Sequence, residues 1–321
     1  MLDMFKSSTP DDPQMQEVLK AFAELDPKPI EKLEPEEARQ QPTPADAVER
    51  VLEQRGETTE PEPVAGTEDR TIPGPGGDIQ IRVYTPMGDG PFAVLLYFHG
   101  GGFVIADLDV YDNSPRALAN AADCVVVSAH YRQGPENPYP AAHEDAFAAY
   151  RWVLENAESI GGDGRVAIAG ESAGGNLAGS TTLRAIEAGL PVPSHQLLVY
   201  PIVDGDDSKP AYDDNKNAKP LNAAMMKWFT EHYRPDPEDP KFAISQADLT
   251  GFPPTTIVLA EVDPLRDDGK VLAEALRTAG FDVELRQYAG VTHEFFGMGA
   301  VVDQAKDAVE FAAGRLSASF A

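Results

Sequence analysis

Cysteine occurs once in the 321 residues, at Cys124. A single thiol excludes an internal disulfide, and its setting beside Val125, Val126 and Val127 reads as a buried strand position in a reducing compartment. Basic residues are scarce: Lys and Arg total 26 against 53 Asp and Glu, a formal charge of −27. That balance excludes a general phosphate-backbone binder, which needs a cationic face, and argues against docking on anionic membranes. The acidic excess fits either a salt-adapted surface or simply an acidic soluble protein. Long apolar runs are missing too. Phe92 to Phe98 is far shorter than the roughly 20 residues a bilayer-spanning helix requires. Met1 to Pro10 shows no basic stretch leading into an apolar one, so no secretory leader is expected and the expected location is the cytoplasm. The phosphate-cradling patterns G-x-G-x-x-G and Gly-Lys-Ser/Thr are absent as well. At 42% apolar and 25% charged residues the chain can still bury a core.

What is present divides the chain. Residues 1–60 are rich in Pro, Glu and Gln and hold two amphipathic stretches, Pro13 to Leu25 (Met15, Val18, Leu19, Phe22) and Ala45 to Gln54 (Val48, Val51, Leu52). Neither can hold a core alone, so both are expected to lie on another surface as a cap. Residues 61–321 alternate. A turn, Pro73-Gly74-Pro75-Gly76-Gly77, precedes the alternating strand Ile79 to Tyr84 and reads as a hairpin. Short apolar runs follow at Ala93–Phe98, Cys124–Ala129, Val166–Ala169, Leu197–Tyr200, Thr256–Ala260 and Val283–Tyr288, with helical patterns between them. Such runs fit parallel strands buried on both faces, in an α/β chain with helices on both sides of the sheet. Ligands then bind at the carboxyl ends of the strands. Residues 204–240 are polar and Pro-rich around one helical pattern, Leu221 to Tyr233, and form an expected second cap segment.

Two glycine-bearing motifs carry chemistry. Gly170-Glu171-Ser172-Ala173-Gly174 matches G-x-S-x-G between a strand and a helix, the context that lifts a nucleophilic serine on a strained turn. His99-Gly100-Gly101-Gly102-Phe103 follows a strand and can present backbone N–H groups to a developing oxyanion. A serine nucleophile needs a base and the base an orienting carboxylate. Of the six histidines, His293 alone combines a late position with a loop at a carboxyl edge; His99 reads as structural within its loop. Asp263 follows the strand Thr256–Ala260, with Glu261, Asp267 and Asp268 as alternatives. The order Ser172, Asp263, His293 is the one this architecture requires.

With these residues in place, the sequence resembles the hormone-sensitive-lipase-like esterases, bacterial family IV, of the α/β-hydrolase superfamily, over roughly residues 64 to 315. The resemblance rests on His99 to Phe103, on Tyr131-Arg132 with Pro135-Glu136 and Pro140-Ala141-Ala142, on Gly170 to Gly175, on Asp263-Pro264-Leu265-Arg266-Asp267 and on His293. It implies an α/β-hydrolase fold: a mostly parallel eight-stranded sheet with helices on both faces and a helical cap. It implies hydrolysis of short- to medium-chain carboxylic esters with neither metal nor cofactor. Oxyanion donors would be the N–H groups of Gly101, Gly102 and Ala173. Phe22, Phe103, Trp228 and Phe229 would shape the substrate pocket, with Phe22, Trp228 and Phe229 serving equally well as cap core. A small-molecule ester is the expected partner, and a homodimer paired through the last strand is permitted.

Three positions depart from the family pattern. Glu171 stands where Asp or Thr is usual and is expected to bond into the cap or a neighbouring loop. Gln133-Gly134 replaces Leu-Ala, with packing alone expected to change. Glu294 replaces a Gly after the histidine and is expected to raise its pKa or restrict its loop. Two other readings stay open at this point. An amidase or aryl-formamidase would use the same three residues, and a ligand-binding receptor of this fold would typically lack the histidine.

Overall fold

The computed structural model describes residues 9–321, so the reading of Met1 to Pro10 falls mostly outside the described residues. Helices α1 (Pro13–Glu24), α2 (Pro35–Ala38) and α3 (Pro44–Arg55) come first, then strands β1 (Gly66–Gly74) and β2 (Gly77–Thr85). The alternation runs β3 (Phe92–Phe98), α4 (Asn113–Ala122), β4 (Cys124–Ala129), α5 (Ala141–Asn156), β5 (Gly162–Glu171), α6 (Ala173–Glu187) and β6 (Gln196–Val199). It continues with α7 (Pro210–Asp214), α8 (Ala223–Tyr233), β7 (Thr255–Val262), α9 (Arg266–Thr278), β8 (Val283–Thr292) and α10 (Asp303–Ser319).

The strands form one eight-stranded sheet in the order β1-β2-β4-β3-β5-β6-β7-β8. β1 pairs with β2 and β2 with β4 antiparallel, while the pairs from β4 to β8 are parallel. The expected hairpin is the β1–β2 pair, closing with Gly74 opposite Gly77. The two-residue side-chain period splits the core into two layers. In β3, Val94, Leu96 and Phe98 join a cluster with α5, α6 and α9, whereas Ala93, Leu95 and Tyr97 face one built with α4 and α10. All seven residues of β3 are buried, which is why its apolar run is continuous.

The amphipathic stretches near the N-terminus are α1 and α3. Each starts on a side-chain cap, Asp12 and Thr43, with Pro at its first turn. Their apolar residues Met15, Val18, Val48 and Val51 are buried in the same cluster as Phe295, Phe296 and Met298. α1 docks at the end of β8: the Asp12 N–H donates to Gly290 O (3.3 Å), and Thr292 Oγ1 donates to Met15 Sδ (3.4 Å). The short helices escape a reading of periodicity: α2, α7 and the 3-10 turns Ile30–Lys32, Ala157–Ile160, Ile244–Gln246 and Phe295–Met298. They are too short to show a repeat, and α2 and α7 are marked only by Pro at their first turns. No helix among the described residues is long and apolar enough to cross a membrane.

Candidate active site

Ser172 sits between β5 and α6 with φ 55° and ψ −114°, a backbone conformation outside the favoured regions for a side-chain-bearing residue. Its backbone is tied on both sides. The Ser172 N–H donates to Val199 O (2.9 Å), and Ser172 O accepts from Asn176 N (3.2 Å) and Ile202 N (3.1 Å). The flanking glycines permit the turn. A Cβ on Gly170 would lie 2.0 Å from Gly174 O, and one on Gly174 would lie 2.0 Å from Phe98 O. Strain at Ser172 is thus held by backbone packed too closely for any other residue.

His293 follows β8 directly and Asp263 follows β7, so parallel neighbours deliver both to one edge. His293 Nδ1 lies 2.7 Å from Asp263 Oδ2, and both side chains are buried. Asp263 Oδ1 accepts the N–H of Leu265 (2.8 Å), and its carbonyl accepts from Asn215 Nδ2 (3.0 Å). The carboxylate therefore accepts Nδ1–H, and Nε2 is left free to take a proton. Burial works against a charged imidazole, but the Asp263 carboxylate outweighs it and holds the His293 pKa above the ordinary value, with Glu294 and Glu171 adding to the effect.

Gly101 and Gly102 have φ values of +97° and +58°. A Cβ on Gly101 would lie 2.1 Å from Ile105 O, and one on Gly102 would lie 2.2 Å from the Phe229 ring. The loop is braced from behind. His99 Nδ1 donates to Gly100 O (2.7 Å), which leaves Nε2 to accept from His130 Nδ1 (3.0 Å). Burial pushes the His99 pKa down to about 3, so it stays neutral and structural. Tyr131 Oη donates to the same backbone, to His99 O (2.9 Å) and Gly100 O (3.0 Å).

Ser172, His293, Gly101 and Gly102 line one cavity of about 310 Å³, roofed by Phe22, Ile30 and Pro42 from the N-terminal segment and by Leu221, Met225 and Phe229 from the 204–240 region. A larger cavity of about 1140 Å³, between residues 45–62, α4 and α10, holds none of Ser172, Asp263 and His293. Of the four expected pocket aromatics, Phe22 and Phe229 line the smaller cavity. Phe103 and Trp228 do not. Phe103 has φ +62° and its ring stacks on Tyr233 at 4.3 Å. Trp228 points Nε1 at Leu33 O (3.1 Å), bonding α8 to the N-terminal segment. Ala173 opens α6 and lies outside the cavity lining.

Of the two partners expected for Glu171, the cap and a neighbouring loop, it meets the loop. It is buried and accepts from Tyr97 Oη of β3 (2.7 Å) and from Tyr200 Oη just after β6, so it does not reach the cap. Gln133 does more than pack: its Nε2 donates to Ile105 O (2.8 Å) and Ala106 O (2.9 Å), bracing the loop after the glycines. Arg39 and Asn215 escaped the sequence reading. Arg39 forms a forked pair with Glu136 (2.8 and 2.7 Å) and also donates to Val104 O (2.8 Å) and Gly134 O (2.7 Å). No local pattern marks such partners; only the Pro135-Glu136 motif hints at a carboxylate awaiting one.

A family model described as alpha/beta hydrolase fold matches residues 95–297. Esterase LipI of Mycobacterium tuberculosis is 43% identical over 254 residues, 75% of this chain and 78% of that protein. Ethyl acetate hydrolase of Pseudomonas putida is 33% identical over 87% of this chain and 88% of its own length. A hyperthermophilic esterase from the archaeon Pyrobaculum calidifontis superposes with a TM-score of 0.86 at 34% identity, over 97% of this chain and 99% of that one. The sheet, the strand-to-helix serine turn and these matches define an α/β hydrolase. Within that class the chain belongs to the hormone-sensitive-lipase-like, bacterial family IV, esterases.

Proposed function

We propose that this protein is a serine carboxylesterase acting on short- to medium-chain esters, with Ser172 as nucleophile, His293 as base and Asp263 as its orienting carboxylate. Ser172 Oγ attacks the ester carbonyl as its proton passes to His293 Nε2. Asp263 fixes Nδ1–H and stabilises the imidazolium that forms. The N–H groups of Gly101, Gly102 and Ala173 receive the oxyanion. His293 then gives its proton to the leaving alcohol, and a water deprotonated by the same nitrogen hydrolyses the acyl-enzyme. Residues 9–60 and 204–240 act as the cap over the rest of the catalytic domain, and the cavity of about 310 Å³ beneath them suits a small ester. Cytoplasmic location is supported by the single buried Cys124, whose thiol pKa is pushed up to about 12 by burial and is inert.

One observation carries the reading: the strained Ser172 turn opens into the same cavity as His293, whose Nδ1 is held from behind by the buried Asp263. Incubation with a p-nitrophenyl phosphonate tests it. The expected result is one covalent adduct, mapped by mass spectrometry to Ser172, with loss of esterase activity. An adduct elsewhere, or none, overturns the assignment. Parallel assays of matched ester and anilide substrates separate an esterase from an amidase.

A further inference from the structure

Two carboxylates flank the reacting residues in sequence: Glu171 before the serine, which is buried, and Glu294 after the histidine, which is partly buried and reaches the Ser172 cavity. Glu294 has φ +72°, a conformation that favours glycine. Its Oε1 lies 3.8 Å from His293 Nε2, the nitrogen opposite the one that meets Asp263. Tyr111 Oη reaches both of its oxygens, at 2.6 and 2.7 Å. The same hydroxyl would lie 2.2 Å from a Cβ on Gly100, so Tyr111 joins Glu294 to the glycine loop. Glu171 is held in the same way by Tyr97 and Tyr200, and the Tyr200 ring centroid is 4.3 Å from that of His293.

Glu171, Glu294, Tyr111 and Ser114 also share the lining of a small cavity of about 30 Å³, room for one water. Ser114 Oγ is buried there and makes no hydrogen bond of ordinary geometry. The groups facing the two carboxylates are Tyr97 of β3, Tyr111 and Ser114, Tyr131, Tyr200, and the Asp263–His293 pair. Among the described residues neither carboxylate is ion-paired to a lysine or arginine. Lys28, Arg39, Lys219 and His130 stand farther out, with Glu31 and Asp107, in the lining of the cavity that holds Ser172.

We propose that Glu171 and Glu294 form a proton-sharing pair, bridged through the Ser114 cavity, that positions His293 and supports its imidazolium from the Nε2 side. This rests on the assignment of His293 as the base. Two like charges confined together without a cation cannot both ionise easily, so one proton stays with the pair near neutral pH. Burial pushes the Glu171 pKa up to about 7, and that of Glu294 is likewise raised. Glu294, exposed to the Ser172 cavity and beside Nε2, is the member that faces the developing positive charge. No bond other than O–H and N–H changes, and the proton only moves between the two carboxyl groups.

The test is NMR titration of the His293 imidazole in the wild type, Glu294→Gln, Glu171→Gln and the double variant, alongside the pH dependence of kcat/KM for p-nitrophenyl acetate. In Glu294→Gln the His293 pKa should fall by about one unit, and the acidic limb of kcat/KM should fall with it. Glu171→Gln should shift His293 by an amount that changes when Glu294 is also replaced, because the two titrate together. Independent, additive shifts, or four superimposable titrations, would overturn the proposal. If Glu171→Gln fails to fold, infrared difference spectra of the wild type and Glu294→Gln decide. A protonated-carboxyl band titrating near neutral pH should move in the variant, and an unchanged band would refute the pair. The NMR readout needs no turnover, so an inactive protein would refute the esterase reading while leaving this proposal to its own result.

Discussion

At the scale of single residues, the site depends on atoms that are missing as much as on those present. Gly102 shows this. Its positive φ and the Phe229 ring both exclude a side chain, so Gly102→Ala must move either the loop or α8. The expected outcome is a fall in kcat/KM of about 10²–10³, the range for losing one oxyanion donor, with the protein still folded by circular dichroism. Retention of full activity would mean that the Gly102 N–H takes no part. The residues that carry this chemistry were legible because each motif has a fixed backbone context: Ser172 on its elbow, the glycines after β3, and Asp263 and His293 after β7 and β8 in the required order. Tyr111, Tyr200, Asn215 and Arg39 were not legible. They act through contacts made across up to 183 positions, as Tyr111 does with Glu294, and no spacing records them.

At the scale of elements, α8 separates two spaces. Met226, Phe229, Ile202 and Gly102 line both the cavity that holds Ser172 and a neighbouring one of about 570 Å³. Phe229→Ala removes the largest part of that wall. The expected outcome is a shift of chain-length preference toward longer acyl esters, by about tenfold in the ratio of decanoate to acetate kcat/KM, the worth of one to two newly accommodated methylenes at about 1 kcal/mol each. An unchanged ratio would place the acyl group elsewhere. The alternation of strands and helices was readable because the buried strands stand out as short continuous apolar runs and the segments between them carry a helical period. The turn from Phe103 outward was not. The sequence placed its aromatic ring beside the substrate, and the positive φ instead turns it onto Tyr233.

At the scale of the whole molecule, stability carries its own pH signature. Lys209 on the 204–240 segment is ion-paired with Asp204 and lies 3.5 Å from Asp268 of α9, all three buried. Burial is the main cause that pushes the Asp268 pKa up to about 8. An unfolded Asp ionises near pH ~4, so between ~4 and about 8 the folded chain holds the extra proton and stability falls as pH rises. Asp268→Asn keeps the acceptor for Val203 N and leaves Lys209 paired with Asp204. Its Tm should therefore fall less between pH 5 and 8 than that of the wild type, and parallel melting curves would contradict this assignment.

The central claim, that Ser172 opens esters through an acyl-enzyme beneath a two-part cap, is tested most directly by one assay. Wild type and Ser172→Ala are compared on p-nitrophenyl esters from acetate to palmitate. Wild-type activity should peak at short to medium chains, and Ser172→Ala should lose about 10⁴-fold or more while remaining folded. Activity that survives the substitution, or a folded wild type that turns over none of the series, would contradict the account.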